Sequence, residues 1–332
     1  MKPVPPAEGD ISIFWSCKPE ANSAVEIVVI LPTFKRPDHL RLTLQSVVNQ
    51  DTEHTYAVVV MDNFTDDTDG AVAAKQVLDK ADLPAVVLQA HRRGNCSAYN
   101  AGFHTALQTY PNARWIQIID DDELAHPNWL NLQVDTINRF DADFCGAPQF
   151  PVFEGGEHQY WSSHPVFQPL YAASGLVQIL YSSGNVLIST DLLKKHQHPW
   201  LDEKFNFLGG GDSDFFNRCS KTGARFAWCA EAGVDETTPL RRTELSWLNS
   251  RSLRNGSISA LIQKRADSSS IGHMTRIVKT CLLLAASPYR SLTLFVKKRS
   301  LIMALNPMNV ALGRLLMEFG FANEQYRAAD KN

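Results

Sequence analysis

Two acidic clusters in this 332-residue chain have residue types and spacing that could do chemistry. Asp120-Asp121-Asp122 directly follows the apolar run Trp115 to Ile119. Adjacent carboxylates repel one another, which a solvated turn tolerates at little cost, so a plain surface turn is one reading. The other is a ligand site, because hard cations such as Mg2+ and Mn2+ take carboxylate oxygens and fill their remaining positions from a bound phosphate. In an extended turn Asp120 and Asp122 face one way and Asp121 the other. The second cluster, Gly209-Gly210-Gly211-Asp212-Ser213-Asp214, heads a stretch of helical period over 212–221. As structure, Asp212 makes an N-cap and Asp214 sits in a first turn favoured by the helix dipole. As function, the glycines let backbone approach a ligand closely while Asp212 points into a crevice.

Both clusters need elements that aim them. From Glu26 onward, short β-branched runs alternate with helical period. Ile27 to Leu31 precedes a helix over 37–49, Ala57 to Met61 one over 66–80, Ala85 to Leu88 one over 96–109, and Trp115 to Ile119 one over 127–139. Four βα units predict an α/β fold with a mostly parallel central sheet flanked by helices, in which ligands bind beyond the carboxyl ends of the strands. The turns at those ends hold Pro32 to Pro37, Asp62-Asn63, Arg92 to Asn95 and the Asp120 cluster. None carries GxGxxG or GxxxxGK[ST], which argues against a dinucleotide oxidoreductase and a P-loop nucleotidase. Later strands are expected over 177–181, 186–189 and 225–228, and the chain beyond them is mainly helical. Residues 1–24 hold four of the 17 prolines and read as an irregular arm.

These turns resemble, in order and spacing over about Glu26 to Leu130, the family 2 glycosyltransferases of GT-A (Rossmann-like) fold. The resemblance rests on Pro-Thr-aromatic-x-Arg-Pro at Pro32 to Pro37, on Asp62 ending the second strand, on Gly94 to Gly102, and on the Asp-x-Asp of Asp120 and Asp122. It implies that Pro32, Thr33, Arg36, Asp62, Asn100, Asp120 and Asp121 serve donor binding. It implies too that Asp120 and Asp122 hold Mg2+ or Mn2+ against the donor diphosphate. Gly209 to Arg218 resembles the family's Gly-Gly-Glu-Asp segment, which makes Asp212 the catalytic base and places Gly210, Gly211 and Asp214 on the acceptor side. Asn185, within Ser183 to Ile188, resembles a family asparagine beside the acceptor. Three departures stand out: Asn63-Phe64 in place of a second acid and glycine, Tyr99 in place of arginine, and Gly211 in place of glutamate.

Composition describes a globular chain, 44% hydrophobic and 20% charged, with a net charge of -3. The near balance hides a division. From Ser268 to Met317 there are seven cations and no acid, whereas residues 1–267 carry -9. Basic amphipathic helices bind anionic membrane surfaces, so residues 268–317 are expected to favour such a partner; nucleic acid is not expected, since no recognition module is present. The six cysteines show no CxxC and read as small buried hydrophobes. No run reaches the length of a spanning helix and the start lacks a signal-peptide pattern, so the expected place is the cytoplasm, peripheral on the inner face of the cell membrane.

The sequence therefore predicts an arm over 1–24, a GT-A domain over 25–240 with a nucleotide-sugar half (25–140) and an acceptor half (141–240), and a helical basic extension over 241–332. The function expected is metal-dependent, inverting transfer from a nucleotide sugar of the UDP type to a lipid-linked or oligosaccharide acceptor in surface-glycan synthesis. Two rivals are a GT-A scaffold that binds without transfer and a sugar-phosphate nucleotidyltransferase. The absence of glycine from Pro32 to Pro37 weighs against the second.

Overall fold

A computed structural model describes residues 9–156 and 158–321. The chain divides into two compact units. The first comprises the chain up to Phe150 with Pro169–Phe207 and Gly211–Glu236; the second comprises Pro151–Gln168, Leu208–Gly210 and the chain from Thr237 onward.

The first unit is built on β1 (Ile11–Cys17), β2 (Ile27–Thr33), β3 (Tyr56–Asp62), β4 (Ala85–Ala90), β5 (Trp115–Ile118), β6 (Glu123–Ala125), β7 (Phe144–Gly146), β8 (Gln149–Phe153), β9 (Gly175–Val177), β10 (Val186–Ser189), β11 (Phe226–Trp228) and β12 (Val234–Thr238), the last residues of β8 and β12 belonging to the second unit. Nine of these strands form one sheet in the order β1-β4-β3-β2-β5-β10-β7-β11-β9. Its centre, β4-β3-β2-β5, is parallel. Every residue of β2 and β5 is buried. That is why these strands read as continuous apolar runs and not as alternating ones. Helices α1 (Pro37–Val48), α2 (Asp69–Leu78), α3 (Asn95–Thr109), α4 (Trp129–Arg139), α5 (Thr190–Lys195) and α6 (Gly211–Lys221) complete the unit.

The sheet is more mixed than the βα pattern implies. β10 runs antiparallel to both β5 and β7, and β9 antiparallel to β11. After Phe140 the strands are no longer joined by regular crossover helices, and only such crossovers force the parallel direction. The N-terminal arm also needs correction. Ile11–Cys17 is a strand paired antiparallel with β4, and a register shift between Ile13 and Trp15 breaks the alternation that would have betrayed it. The remainder of the expected arm before residue 9, and residues 322–332 of the expected extension, lie outside the described residues.

In the second unit α7 (Leu245–Ala266), α8 (Ser270–Lys298), α9 (Leu301–Ala304) and α10 (Asn306–Glu318) follow one another. A β-carbon at Gly256 would collide with the Val310 carbonyl, and one at Gly313 with the Leu253 carbonyl, so these two glycines let α7 and α10 cross in backbone contact. Buried Arg314 donates to Ser259 Oγ (2.7 Å) and Gln263 Oε1 (2.8 Å) of α7. Arg276 of α8 pairs with Glu318 at 2.6 Å. No helix among the described residues is long and apolar enough to cross a membrane. Cys281 lies exposed on α8, against the expectation that every cysteine is buried.

Candidate active site

The acidic cluster closes a tight turn at the carboxyl end of β5, in which the Glu123 N–H donates to the Asp120 carbonyl at 3.2 Å. The turn is not extended, so the expected alternation fails. Arg36 Nη1, from the head of α1, donates to Asp122 Oδ2 (2.8 Å) and Asp121 Oδ1 (3.3 Å), clasping the two together. Thr33 Oγ1 donates to Asp121 Oδ2 at 2.8 Å and the Phe34 N–H to the same atom at 3.4 Å. Asp120 instead accepts the hydroxyl of Tyr99, a fully buried residue of α3. Behind them lies Glu123, wholly buried, which accepts the Asp120 N–H at 2.9 Å and the side-chain amide of Gln149. Glu236 of β12 stands opposite Glu123 of β6 in register.

Crowding and burial of these acids shift their titration. Burial, then the charge of Asp122, pushes the Asp120 carboxyl up to about 7. Burial raises Asp121 to about 6 although Arg36 works against it. Glu123 is held well above the carboxylate range by burial and by Asp120. Such a cluster favours an added cation, and its donor atoms are the hard carboxylate oxygens that Mg2+ and Mn2+ prefer. Among the described residues no three acidic, histidine or cysteine side chains close around one point.

Beside the turn, the ends of β2 and β3 border a cleft of about 340 Å3 lined by Lys35, Pro37, Asp62, Phe64, Asp67 and Gly70 among others. Asp62 accepts the N–H groups of Phe64 (3.1 Å) and Ala71 (2.9 Å), and burial raises it to about 6. A β-carbon at Gly70 would lie 2.8 Å from Asp62 Oδ2, so glycine is needed for that approach. Phe34 and Phe64 meet edge to face at 5.4 Å, with Lys35 Nζ 4.2 Å from the Phe64 ring centre. Pro32 is buried within β2, in register with Met61. Asn63 is structural: it donates to the Ala90 and Arg92 carbonyls, both at 2.8 Å, and accepts the Gly94 N–H at 2.8 Å. An aspartate could not donate to those carbonyls.

The head of α3 joins this turn to the Asp212 segment. Asn206 accepts the Ser97 N–H (3.0 Å) and donates to Ser97 Oγ (2.9 Å). Asn100, expected at the donor, is buried and exchanges both side-chain bonds with the Leu201 backbone (2.8 and 3.0 Å). Its role is to fasten the approach to α6. A β-carbon at Gly211 would collide with Cys96 Sγ, so a glutamate there requires that sulfur to move. Gly210, at φ +90°, belongs to the second unit, where its Cα packs against Ile258.

The two acids of α6 differ. Asp214 is 3% exposed and takes Arg218 Nε at 2.9 Å, an i,i+4 ion pair within α6. Asp212 is half-buried and accepts the Ser213 N–H at 2.7 Å. Asn185, expected on the acceptor side, is buried. It accepts Trp129 Nε1 and Gln133 Nε2 (both 2.8 Å) and donates to the Pro148 and Ala232 carbonyls (3.1 and 2.9 Å), which takes up its full bonding capacity inside the protein. Its neighbour Gly184 matters, since a β-carbon there would lie 2.6 Å from Glu123 Oε1. Sequence reasoning missed Tyr99, Glu123, Gln149 and Phe64 as site-shaping groups; an aromatic just beyond a strand end was the available signal for Phe64.

A mixed sheet with a parallel centre, a buried acidic turn and an adjacent cleft at its strand ends matches the GT-A architecture. The chain belongs to glycosyl transferase family 2, whose model matches residues 28–196. It is 23% identical over 238 residues to a chondroitin synthase of Pasteurella multocida (62% of this chain, 24% of that protein) and 25% identical over 249 residues to a hyaluronan synthase of the same organism (63% and 24%). The chain thus spans about a quarter of the length of the curated relatives it matches. Among solved structures it is similar to a mannosyltransferase from Pyrobaculum calidifontis in complex with GDP-Man and Mn2+ (TM-score 0.57, 17% identity, 87% of each chain). It is also similar to S. aureus TarS in complex with UDP (TM-score 0.50, 14% identity, 90% and 92%). These structural likenesses concern the fold.

Proposed function

We propose that the protein transfers a sugar, with inversion, from a nucleotide sugar of the UDP type to a lipid-linked or oligosaccharide acceptor in surface-glycan synthesis. The observation that carries this reading is the pairing of two unlike acidic sites through one helix. The Asp120 turn is buried and cation-favouring, while Asp212 is half-exposed, and the first turns of α3 touch both segments. Asp62, Phe64 and Lys35 line the cleft in which base and ribose bind. Asp122 with Asp120 would hold Mg2+ or Mn2+, and the ion would supply positive charge against the departing nucleoside diphosphate. Arg36 keeps Asp121 and Asp122 in place for that task.

In the transfer, the Asp212 carboxylate takes the proton of the acceptor hydroxyl as its oxygen bonds to the anomeric carbon. The bond from that carbon to the phosphate oxygen breaks on the opposite face, and its electron pair leaves with the nucleoside diphosphate. The bound states of the two structural neighbours, one with UDP and one with GDP-Man and Mn2+, support a nucleotide-sugar donor and a divalent cation. The basic C-terminal region keeps the enzyme peripheral on the inner, anionic face of the cell membrane. The test is release of nucleoside diphosphate with Mn2+ or Mg2+ across a donor and acceptor panel. Release is expected in the native protein and lost in Asp122→Ala; equal release from both would overturn the assignment of the metal side.

A further inference from the structure

Helix α8 carries six exposed large apolar residues on the side opposite to the one it buries. The buried side chains of this 29-residue helix are Arg276, Thr280 and Ser287. Ile271, Val278, Leu282, Tyr289, Leu292 and Val296 are each 50% exposed or more. At about 100° per residue these six fall within an arc of about 80°, centred opposite the arc of the three buried ones. These six side chains are therefore not buried by packing within the second unit. Lys279, Arg290 and Lys297, all exposed, lie along one edge of the apolar arc, and Lys298 and Arg299 follow at the helix end. A continuous exposed apolar stripe of this kind marks an interaction surface.

The charge selects the occupant. No acid occurs from Ser268 to Met317, so a second copy seated on this face would bring the same cations against it. An anionic lipid surface would instead neutralise them. The helix is about 43 Å long at 1.5 Å per residue, and none of the described helices is apolar enough to cross a bilayer, which suits a helix lying in the membrane plane. We propose that the outward face of α8 is an in-plane docking helix for an anionic phospholipid surface, with the apolar stripe entering the headgroup boundary and the flanking cations meeting the lipid phosphates. This deepens the membrane-side part of the proposed function and rests on it, adding apolar insertion to charge attraction.

The test is flotation of the full chain with phosphatidylglycerol-rich vesicles and with pure phosphatidylcholine vesicles, alongside nucleoside diphosphate release on a soluble acceptor. The native chain is expected to float with the anionic vesicles only. Val278→Glu/Leu282→Glu should weaken partitioning at least about tenfold, since a single apolar side chain returned to water accounts for such a factor. Lys279→Glu/Arg290→Glu should weaken it as well, and both variants should keep native release rates. A native chain that stays with the soluble fraction, or a stripe variant that floats equally well, overturns the docking helix while leaving the transferase reading intact. A native dimer by light scattering that the stripe variant converts to monomer makes a second copy the occupant and overturns the proposal too. Flotation without release from any form would sink the transferase reading alone.

Discussion

Cys96 Sγ lies 2.4 Å from where a β-carbon at position 211 would sit, so any side chain there, the family-like glutamate included, requires the buried sulfur to move. The two positions form a matched pair. Gly211→Ala should destabilise the protein by about 1–3 kcal/mol through overpacking. Cys96→Ala/Gly211→Ala should recover most of that loss, giving a clear coupling term in a double-mutant cycle. Denaturant unfolding of the four proteins measures it, and additive losses would show that the collision is relieved elsewhere.

Asn63 gives a second case in which the family residue would not be neutral. Asn63→Asp removes both donors to the Ala90 and Arg92 carbonyls and sets an acceptor against them. A loss of about 2–4 kcal/mol is expected from two buried carbonyls left unpaired. The midpoint of urea unfolding checks this; an unchanged midpoint would mean that the loop before α3 re-pairs with other groups.

The acidic turn should give an unusual pH dependence. Asp62, Asp120 and Asp121 are raised by burial to about 6, about 7 and about 6. The folded state thus binds protons more tightly than the unfolded chain does. Stability from these groups is fully present below their unfolded values near 4 and is lost as pH rises through 6 to 7. Thermal melts in chelator should accordingly rise in midpoint from pH 8 to pH 5.5, and Asp120→Asn should flatten the upper part of that rise. A midpoint that climbs towards pH 8 would contradict the burial-raised carboxyls.

Arg36 is the cation on which Asp121 and Asp122 converge. Arg36→Ala should lower transfer by about 100-fold or more, the cost typical of losing one preorganised electrostatic group. Added Mn2+ should restore part of it by replacing the missing positive charge. Steady-state rates over a Mn2+ series test this, and a rate independent of Arg36 would remove it from the site.

Much of this organisation was legible in the sequence, and the exceptions have physical causes. β2 to β5 stood out because strands buried on both faces keep β-branched residues at every position. β1 escaped notice because most of its side chains are partly or wholly exposed and its pairing is bulged. The Asp120 turn and Asp212 were visible as charge at strand and helix ends. The buried backbone bonds of Asn100 and Asn185 were not legible, because a buried amide that satisfies backbone groups has the same one-letter signature as one that binds a ligand. Tyr99 with Asp120, and Cys96 with Gly211, pair residues far apart in sequence that only folding brings together.

The central claim, that Asp212 acts as base opposite a cation-dependent donor site, is tested most directly by Asp212→Asn. Donor binding in the presence of Mn2+ and single-turnover sugar transfer should be measured on the same preparation. Binding within about twofold of native, with transfer slowed by 100-fold or more, is the predicted result for loss of a general base. Transfer at the native rate with a bound donor would contradict the account.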